Sequence, residues 1–272
     1  MIGLILGDTH IGEEIIKRLN KLNKNFIIID ISKNKIFKSK KNSYQLSIGQ
    51  LGKCISILKD NKCNQVLFAG RVKKPNFKKL KFDFKAIYHL PKIIKETKKG
   101  DAYIINFITN LFEKEGFKIV NQTKFNKEIV LKKGTCTRLK PNENDKKNII
   151  VGKKIIYNLK KIGVAQGVII IDQKIVSTEN QKGTDSMINE SKSKILNFKK
   201  KNRGNRIGVL MKLPKPNQDL RTDLPTIGYK TVKKCIQVGL KGIIIKGNYN
   251  IFLDQNKCIK LANKNKFFIH AI

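Results

Sequence analysis

The sequence has few of the residues that build metal centres and disulfide frameworks. It contains no tryptophan, three histidines and five cysteines in 272 residues. The cysteines, at positions 54, 63, 136, 235 and 258, form no C-x-x-C pair, and the histidines are far apart. Zinc sites and small disulfide scaffolds normally show close ligand spacing. We therefore expect free thiols in a reducing compartment and no zinc site.

Long hydrophobic runs are also missing. Runs such as GVIII (167–171) are far too short for a membrane-spanning helix, which needs about 20 apolar residues. The amino terminus, MIGLILGDTH, has no basic segment before its apolar run and no cleavage site. We interpret it as a first strand and not as a signal peptide. These features predict a cytoplasmic protein.

Acidic residues are scarce: 20 Asp and Glu face 58 Lys and Arg, which gives a net charge of +38. Nucleic-acid binding, attraction to an anionic membrane surface and compositional drift toward lysine would each explain this excess. Lysines occur along the whole chain, and no basic run alternates with aromatic residues that could stack on bases. Compositional drift toward lysine explains this even distribution of charge best, so we predict no nucleic-acid partner. The charge can still assist binding of an anionic substrate or membrane.

The first third of the chain alternates strands and helices, which indicates a parallel sheet with helices on its faces. We predict an amino-terminal Rossmann-like α/β domain over residues 1–135. Its predicted strands are 2–6, 25–31 and 65–70, its helices are 11–23 and 49–61, and two helices broken at Lys99-Gly100 and a strand fill 85–120.

A polar segment at 132–148, KKGTCTRLKPNENDKKN, is typical of a linker. Beyond it we predict a second α/β domain over residues 145–272. Its predicted elements are helices at 148–163, 185–201 and 226–240, two strands joined by a turn at Asp172-Gln173 within 166–179, and strands at 207–213, 241–247, 249–255 and 266–272.

Two glycine-containing loops follow strands of the first domain. LILGDTHIGEEI has Gly7 and Gly12 but not G-x-G-x-x-G, so it supports a dinucleotide site only weakly. AGRVKKP puts Gly70 at the carboxyl edge of the sheet. This loop is either ligand-facing or an ordinary exit from the strand.

In the second domain, KGTDSM joins a strand to a helix. Thr184 or Asp185 could cap this helix, or its amide-rich start could hold a phosphate. Glu179, just upstream at a strand end, is a further carboxylate near this loop.

The most specific stretch is KLPKPNQDLRTDLPTIG, residues 212–228. A helix that begins near Pro225, with Asp223 or Thr226 at its start, explains part of it. The remaining polar residues suit a diphosphate with Mg²⁺, since carboxylates are hard ligands and basic side chains neutralise phosphoryl oxygens. A phosphate-ester or anhydride site is therefore predicted here. These polar residues are Lys212, Lys215, Gln218, Asp219 and Arg221.

Several motifs together resemble a known family. They are LFAGRVKKPNF, KKGDA with FEKEGF, AQGVII, KGTDSM, KLPKPNQDLRTDLPTIG and GLKGIII. In this order they are similar to the two-domain UDP-2,3-diacylglucosamine pyrophosphatases, the LpxI family. The resemblance implies Mg²⁺-dependent hydrolysis of UDP-2,3-diacylglucosamine to UMP and 2,3-diacylglucosamine 1-phosphate (lipid X) in lipid A biosynthesis. It also implies two α/β domains with the active site in the cleft between them.

The resemblance assigns a role to one residue, Asp223, which would be the essential carboxylate and the Mg²⁺ ligand. Asp185 and Arg221 stand in matching motifs, and we infer from their chemistry that they are further catalytic residues, Asp185 for the metal or water and Arg221 for the phosphates. Asp101 takes no role, because KKGDA departs from the family pattern, and GDTHIG departs from it after the first strand. Motif matches and the chemistry of the loops together predict as substrate-binding residues Lys212, Lys215, Gln218, Thr184, Gln166 and Gly70.

A diacylated substrate implies a peripheral enzyme on the cytoplasmic face of the inner membrane, whose lysines meet anionic headgroups. A second copy of the chain, in a homodimer, is the remaining candidate partner. Two rival interpretations stay open at this point: a basic nucleic-acid-binding protein and a nicotinamide-dependent oxidoreductase. The missing G-x-G-x-x-G counts against the second.

Overall fold

The computed structural model describes residues 1–72, 77, 80–160, 166–180, 182–214 and 219–272, with only the backbone described at 159 and 160. The chain forms two compact units. The first consists of Met1–Lys127 with Gln218–Asp223, and the second of Glu128–Asn217 with Leu224–Ile272. The prediction of two α/β domains is confirmed. Their limits, and the location of the active site in a cleft, stay predictions.

The first unit contains a parallel sheet with strand order β3-β2-β1-β4-β5. All five residues of β1 are buried, as expected for a strand whose sheet is covered on both faces. The Rossmann-like prediction is confirmed, although β3 was not predicted. The strands are β1 (Ile2–Leu6), β2 (Phe26–Asp30), β3 (Ser43–Gln45), β4 (Gln65–Ala69) and β5 (Lys118–Ile119), and the helices are α1 (Ile11–Lys21), α2 (Leu51–Asp60), α3 (Phe84–Lys99) and α4 (Asp101–Lys114).

The second unit contains a mixed sheet with strand order β6-β13-β11-β9-β7-β8. Strands β9, β11 and β13 are parallel, β7 is antiparallel to β9 and β8, and β6 is antiparallel to β13. The strands are β6 (Gly134–Thr135), β7 (Gly167–Ile171), β8 (Lys174–Thr178), β9 (Val209–Lys212), β11 (Gly242–Ile245) and β13 (Phe268–Ala271), and a separate parallel pair consists of β10 (Thr226–Ile227) and β12 (Ile251–Phe252). The helices are α5 (Glu143–Lys160), α6 (Thr184–Glu190), α7 (Lys192–Lys201), α8 (Tyr229–Val238) and α9 (Gln255–Lys264).

The predicted hairpin at 166–179 is confirmed. Strands β7 and β8 are joined by Asp172 and Gln173, which have φ of +46° and +60°. Two positive φ values are what a tight two-residue hairpin turn requires, because its twist matches that of the strands.

The predicted helix over 226–240 is wrong at its start. The helix begins at Tyr229, and Thr226–Ile227 is the strand β10, paired with β12. The carbonyl of Pro225 accepts a hydrogen bond from the Ile251 N–H at 2.9 Å. Pairing with a distant segment thus overrides the local preference of proline for the first turn of a helix.

Three further predictions need correction. The segment 132–148 is not only a linker, because β6 pairs with β13 and α5 begins at Glu143. The single helix over 185–201 is two helices, which meet at Ser191, where the buried hydroxyl donates to the Met187 carbonyl at 2.7 Å. The strand expected at 249–255 is the short β12 and is followed by α9, which was not predicted.

Within the described ranges, no helix is both long and apolar enough to cross a bilayer.

Candidate functional site

In the first unit, the carboxyl ends of β1 and β4 meet where the strand order of the sheet reverses. Gly7 and Gly70 follow these two strands, and a Cβ at Gly70 would lie 2.9 Å from the Gly7 backbone. Gly70 also has φ of +89°, which favours glycine. Ligands of open α/β sheets bind at such switch points. Gly70 therefore lies at an edge of the sheet that is suited to a ligand. Residues 73–75 of the AGRVKKP loop lie outside the described residues.

Asp219 to Asp223 form a tight turn within the first unit. The Asp219 carbonyl accepts hydrogen bonds from the N–H groups of Thr222 at 3.0 Å and Asp223 at 2.9 Å. The guanidinium of Arg221 donates to the Asp219 carboxylate from Nε at 3.0 Å and from Nη2 at 2.9 Å. Its Nη1 donates to Glu113 of α4 at 2.6 Å. Two carboxylates thus hold Arg221, and the half-buried Asp223 stands at the end of the turn.

These ion pairs change the acidity of both partners. Burial alone would raise the pKa of Asp219, but hydrogen bonds from Arg221 outweigh burial and lower it below its ordinary value of 3.8. Hydrogen bonds to Asp219 and Glu113 raise the pKa of Arg221 further above its ordinary value. Asp219 and Arg221 therefore both remain charged at physiological pH.

A buried glutamine fastens this turn to the first sheet. Gln122 is 5% exposed, and its side-chain amide donates to the carbonyl of Phe68 in β4 at 2.9 Å and to the carbonyl of Thr222. Its backbone N–H donates to the Arg221 carbonyl at 3.1 Å. The turn that carries Asp223 is thereby held beside β4.

In the second unit, several polar residues meet at the carboxyl end of β9. Lys212 is the last residue of β9 and pairs with Gly167, the first residue of the antiparallel β7. The Gln166 carbonyl accepts from the Leu213 N–H at 2.9 Å, and the Gly167 carbonyl accepts from the Glu179 N–H at 2.8 Å. The sheet register therefore places the ends of three strands, β7, β8 and β9, side by side.

At this edge, Lys212 lies in a chain of short contacts. Its ammonium donates to the Thr184 hydroxyl at 2.7 Å, and that hydroxyl donates to Glu179 Oε1 at 2.6 Å. The ammonium lies 3.9 Å from the same Oε1. The lysine is only 9% exposed. A lysine so buried needs a counter-charge, and Glu179 supplies it.

Because Gly167 has no side chain, the carboxylate of Glu179 can pack against its backbone. A Cβ built on Gly167 would lie 2.9 Å from Glu179 Oε2, closer than side-chain contacts normally come. Glu179 Oε2 is itself buried and takes no hydrogen bond from any described residue. In the Gln166-Gly167 pair, the glycine is thus required because any larger residue would collide with the carboxylate of Glu179.

Asn250 fixes the backbone of the same lysine. It is completely buried, and its amide donates to the Lys212 carbonyl at 3.1 Å. Its Oδ1 accepts from the Lys246 N–H at 2.9 Å, just after β11. Asn250 thereby links the end of β9 to the end of β11 through two hydrogen bonds.

Asp185 has different partners from its neighbour Thr184. It lies in the first turn of α6, whose N-cap is Gly183, and no side chain caps this helix. Its carboxylate pairs with two lysines of α8, Lys234 at 3.0 Å and Lys230 at 3.4 Å. In this arrangement its negative charge is balanced by α8.

The structure thus divides the predicted site residues between the two units. Gln166, Thr184 and Lys212 come together in the second unit, with Asp185 next to Thr184, whereas Arg221 and Asp223 share one turn of the first unit, which also contains Gly70. Lys215 and Gln218 lie outside the described residues. The sequence interpretation noted Glu179 but did not pair it with Lys212. Glu113, Gln122 and Asn250 were missed; Glu113 stands in the FEKEGF motif, whereas no local pattern marks Gln122 or Asn250.

The residues present are compatible with Mg²⁺. In the part of the chain that the structure describes, no three His, Cys, Asp or Glu side chains form a ligand cluster. Mg²⁺ is usually held by one or two carboxylates together with waters and substrate phosphates. Asp223 offers such a carboxylate. Glu179 suits the ion less, because the Lys212 ammonium already balances its charge.

Cysteine chemistry does not fit this site. All five cysteines are free thiols. Burial, together with Asp83, raises the pKa of Cys54 to about 12, and burial with Asp254 raises that of Cys258 to about 12. Thiols that hold their protons so tightly are poor nucleophiles at neutral pH.

Comparison with known proteins covers nearly the whole chain. Residues 1–129 match the model of the LpxI N-terminal domain, and residues 132–270 match that of the LpxI C-terminal domain. The chain is also 30% identical over 230 residues to the UDP-2,3-diacylglucosamine pyrophosphatase LpxI of Caulobacter vibrioides, covering 84% of this chain and 81% of that protein. These matches confirm the predicted resemblance and the prediction of a hydrolase. The chain belongs to the LpxI family.

Proposed function

We propose that this protein hydrolyses the pyrophosphate bond of UDP-2,3-diacylglucosamine to UMP and 2,3-diacylglucosamine 1-phosphate, with Mg²⁺ as cofactor. The name of the Caulobacter relative supports the substrate. The observation that carries the proposal is the Lys212–Thr184–Glu179 chain at the carboxyl edge of the second sheet. A buried ammonium held in one position by a hydroxyl and a carboxylate is suited to receive a phosphoryl oxygen.

Charge develops on phosphoryl oxygens when water displaces one phosphate from another, and fixed cations stabilise that charge. Lys212 is such a cation, because Thr184 restrains its ammonium and Asn250 restrains its backbone. Little reorganisation is then needed when the substrate arrives. Lys212 is the residue that we assign to the diphosphate.

Asp223 is the residue that we assign to the metal. Its turn is ordered by the contacts of Asp219 with Arg221 and by Gln122, so the position of its backbone is restrained. When bound, Mg²⁺ supplies positive charge that polarises a phosphoryl oxygen. In this proposal Arg221 orders the turn, because its guanidinium is already held by two carboxylates.

The diacylated substrate resides in a membrane, and the chain offers no helix that could cross one within the described ranges. We therefore propose peripheral attachment to the cytoplasmic face of the inner membrane, where the net charge of +38 favours anionic headgroups.

The direct test is to incubate the purified protein with UDP-2,3-diacylglucosamine and Mg²⁺ in detergent micelles and to measure UMP and the lipid monophosphate. We expect both products in equal amounts, and none after chelation of the metal. Hydrolysis in isotopically labelled water would identify the phosphorus that is attacked. Product formation that is unaffected in Lys212→Met would contradict the role given to this lysine.

A further inference from the structure

Helix α3 (Phe84–Lys99) has an unusually exposed outer face. Only Ala86 and Glu96 are buried among its 16 residues. Phe84 is 93% exposed, Tyr88 81% and Ile87 54%. Residues spaced by three and four lie on the same side of a helix, so these three form one apolar patch at its first turns. Isolated exposed apolar residues are ordinary, but a cluster with two aromatic rings is not.

Basic residues continue the same face along the helix. Lys92, Lys95 and Lys98 follow Tyr88 at helical spacing, and all three are exposed. Together, Phe84, Ile87, Tyr88, Lys92, Lys95 and Lys98 form a surface that we call the α3 outer face. Its first half is apolar and aromatic, and its second half is cationic.

Three acidic side chains near this helix form contacts away from its outer face. Asp83 caps the helix by accepting from the Ala86 N–H at 2.9 Å. Glu96 is buried and pairs with Lys99 at 3.0 Å. Glu115 binds Lys59 and Lys85, and hydrogen bonds from Lys59 and then Lys85 lower its pKa. Within the described ranges, no carboxylate forms an ion pair with Lys92, Lys95 or Lys98, so this half of the outer face presents three unneutralised ammonium groups.

We propose that the α3 outer face is the surface by which this protein binds an anionic phospholipid bilayer. Aromatic side chains are favoured at the level of the headgroups, and lysines close to anionic lipid strengthen binding. The inference rests on the proposed function, because a diacylated substrate requires access to a bilayer. Charge complementarity selects the occupant: a second copy of this chain would bring the same three lysines and the same net charge.

The absence of tryptophan makes a clean test available. Phe84→Trp puts a single tryptophan on the α3 outer face, and Tyr157→Trp puts one on the exposed side of α5, where Tyr157 is 63% exposed. We expect vesicles of phosphatidylcholine and phosphatidylglycerol in equal parts to shift the emission of the Phe84→Trp protein to the blue. Vesicles of phosphatidylcholine alone, or added salt, should weaken the shift. Tyr157→Trp should show little change. Equal shifts, or binding to vesicles without any shift at position 84, would overturn the proposal.

A charge-matched pair of variants tests the basic half. Replacing Lys92, Lys95 and Lys98 by Gln should weaken co-sedimentation with the anionic vesicles by on the order of 100-fold, from about fivefold per lysine. The control replaces Lys192, Lys194 and Lys200 of α7, which are also exposed, by Gln. It should retain most of the binding. Equal losses in both triple variants would mean that the charge acts without regard to position, and the proposal would fail.

Two further measurements distinguish bilayer binding from hydrolysis and from dimer formation. The vesicles contain no UDP-sugar, so they measure bilayer binding even if the proposed hydrolysis is wrong. In detergent micelles, the Lys92, Lys95 and Lys98 triple variant should hydrolyse the substrate at the wild-type rate. If light scattering shows a wild-type dimer that Phe84→Ser converts to a monomer, a second copy covers this face and the bilayer proposal is wrong.

Discussion

The ammonium of Lys212 lies 2.7 Å from the Thr184 hydroxyl, which joins a residue at the end of a strand to one at the start of a helix. The hydroxyl donates its own proton to Glu179, so it must accept from the lysine. The direction of both hydrogen bonds is thereby fixed. A lysine held in this way is a fixed positive charge rather than a mobile one.

The first prediction concerns the charge on Glu179. Glu179→Gln keeps the size of the side chain but removes the counter-charge of Lys212. A hydrogen bond to a charged group contributes about 1.5–3 kcal/mol, which corresponds to a roughly tenfold to hundredfold loss in kcat/KM if it acts on the transition state. Steady-state kinetics would measure this loss. We expect the effect mainly in kcat, because the ammonium of Lys212 no longer faces a carboxylate.

The matched control for this variant is Glu190→Gln. Glu190 lies at the end of α6, accepts from Ser186 at 2.8 Å and is largely exposed. Glu190→Gln should leave both kcat and kcat/KM close to the wild-type values. If Glu179→Gln lowers stability but leaves kcat at the wild-type value, Glu179 does not act through Lys212.

The second prediction concerns Gly167. In Gly167→Ala the new methyl group would meet Glu179 Oε2 at 2.9 Å, with Met187 close behind at 3.4 Å. Overpacking of this kind costs about 1–3 kcal/mol, so urea denaturation should detect a lower free energy of unfolding together with reduced turnover. Gly228→Ala is the control, because its nearest neighbour, Leu253, would be at an ordinary 3.5 Å. Equal stability of the two variants would contradict this prediction.

The third prediction concerns Asp223. We expect Asp223→Asn to lose on the order of a hundredfold to a thousandfold in kcat, as expected when one electrostatic contact to the transition state is removed. Its Mg²⁺ requirement should rise, because an amide binds the ion more weakly than a carboxylate. Circular dichroism should remain that of the wild type. Asp60→Asn, at the exposed end of α2, is the control and should be fully active. An unchanged Mg²⁺ dependence of Asp223→Asn would remove Asp223 from the metal site.

Much of the fold could be predicted because its signals are local. The apolar run of β1 and the Asp172-Gln173 turn need no knowledge of distant residues. Helix α9 also had a local signal, since Cys258, Leu261 and Ala262 recur at helical spacing, but it was overlooked beside the apolar run of β12. The strand β10 could not be predicted in this way, because only pairing with β12 stabilises it.

The candidate site was predicted only in part, for a similar reason. Lys212, Thr184 and Gln166 stand in motifs and could be found by resemblance. The contact between Lys212 and Glu179 depends on the order of β9, β7 and β8 across the sheet, which the sequence does not state. Gln122 acts on Thr222 about a hundred residues away. Such residues support a site through the fold, so only the fold identifies them.

The last prediction concerns pH and the pair formed by Asp219 and Arg221. The pKa of Asp219 is lowered in the folded protein, so its contribution to stability is complete above the ordinary value of 3.8 and is lost as the pH falls through the lowered value. In Arg221→Gln the hydrogen bonds and the charge of the guanidinium are lost, and only the backbone N–H of residue 221 and the Thr109 contact remain, so the charged carboxylate of Asp219 is stabilised less against burial at neutral pH. We therefore expect the difference in unfolding free energy between wild type and Arg221→Gln to be widest near neutrality and to narrow below pH 3.8. Urea denaturation at a series of pH values would measure it, with the exposed Arg203→Gln as control. A difference that stays constant with pH would mean that Arg221 stabilises the turn by packing and not through the charge of Asp219.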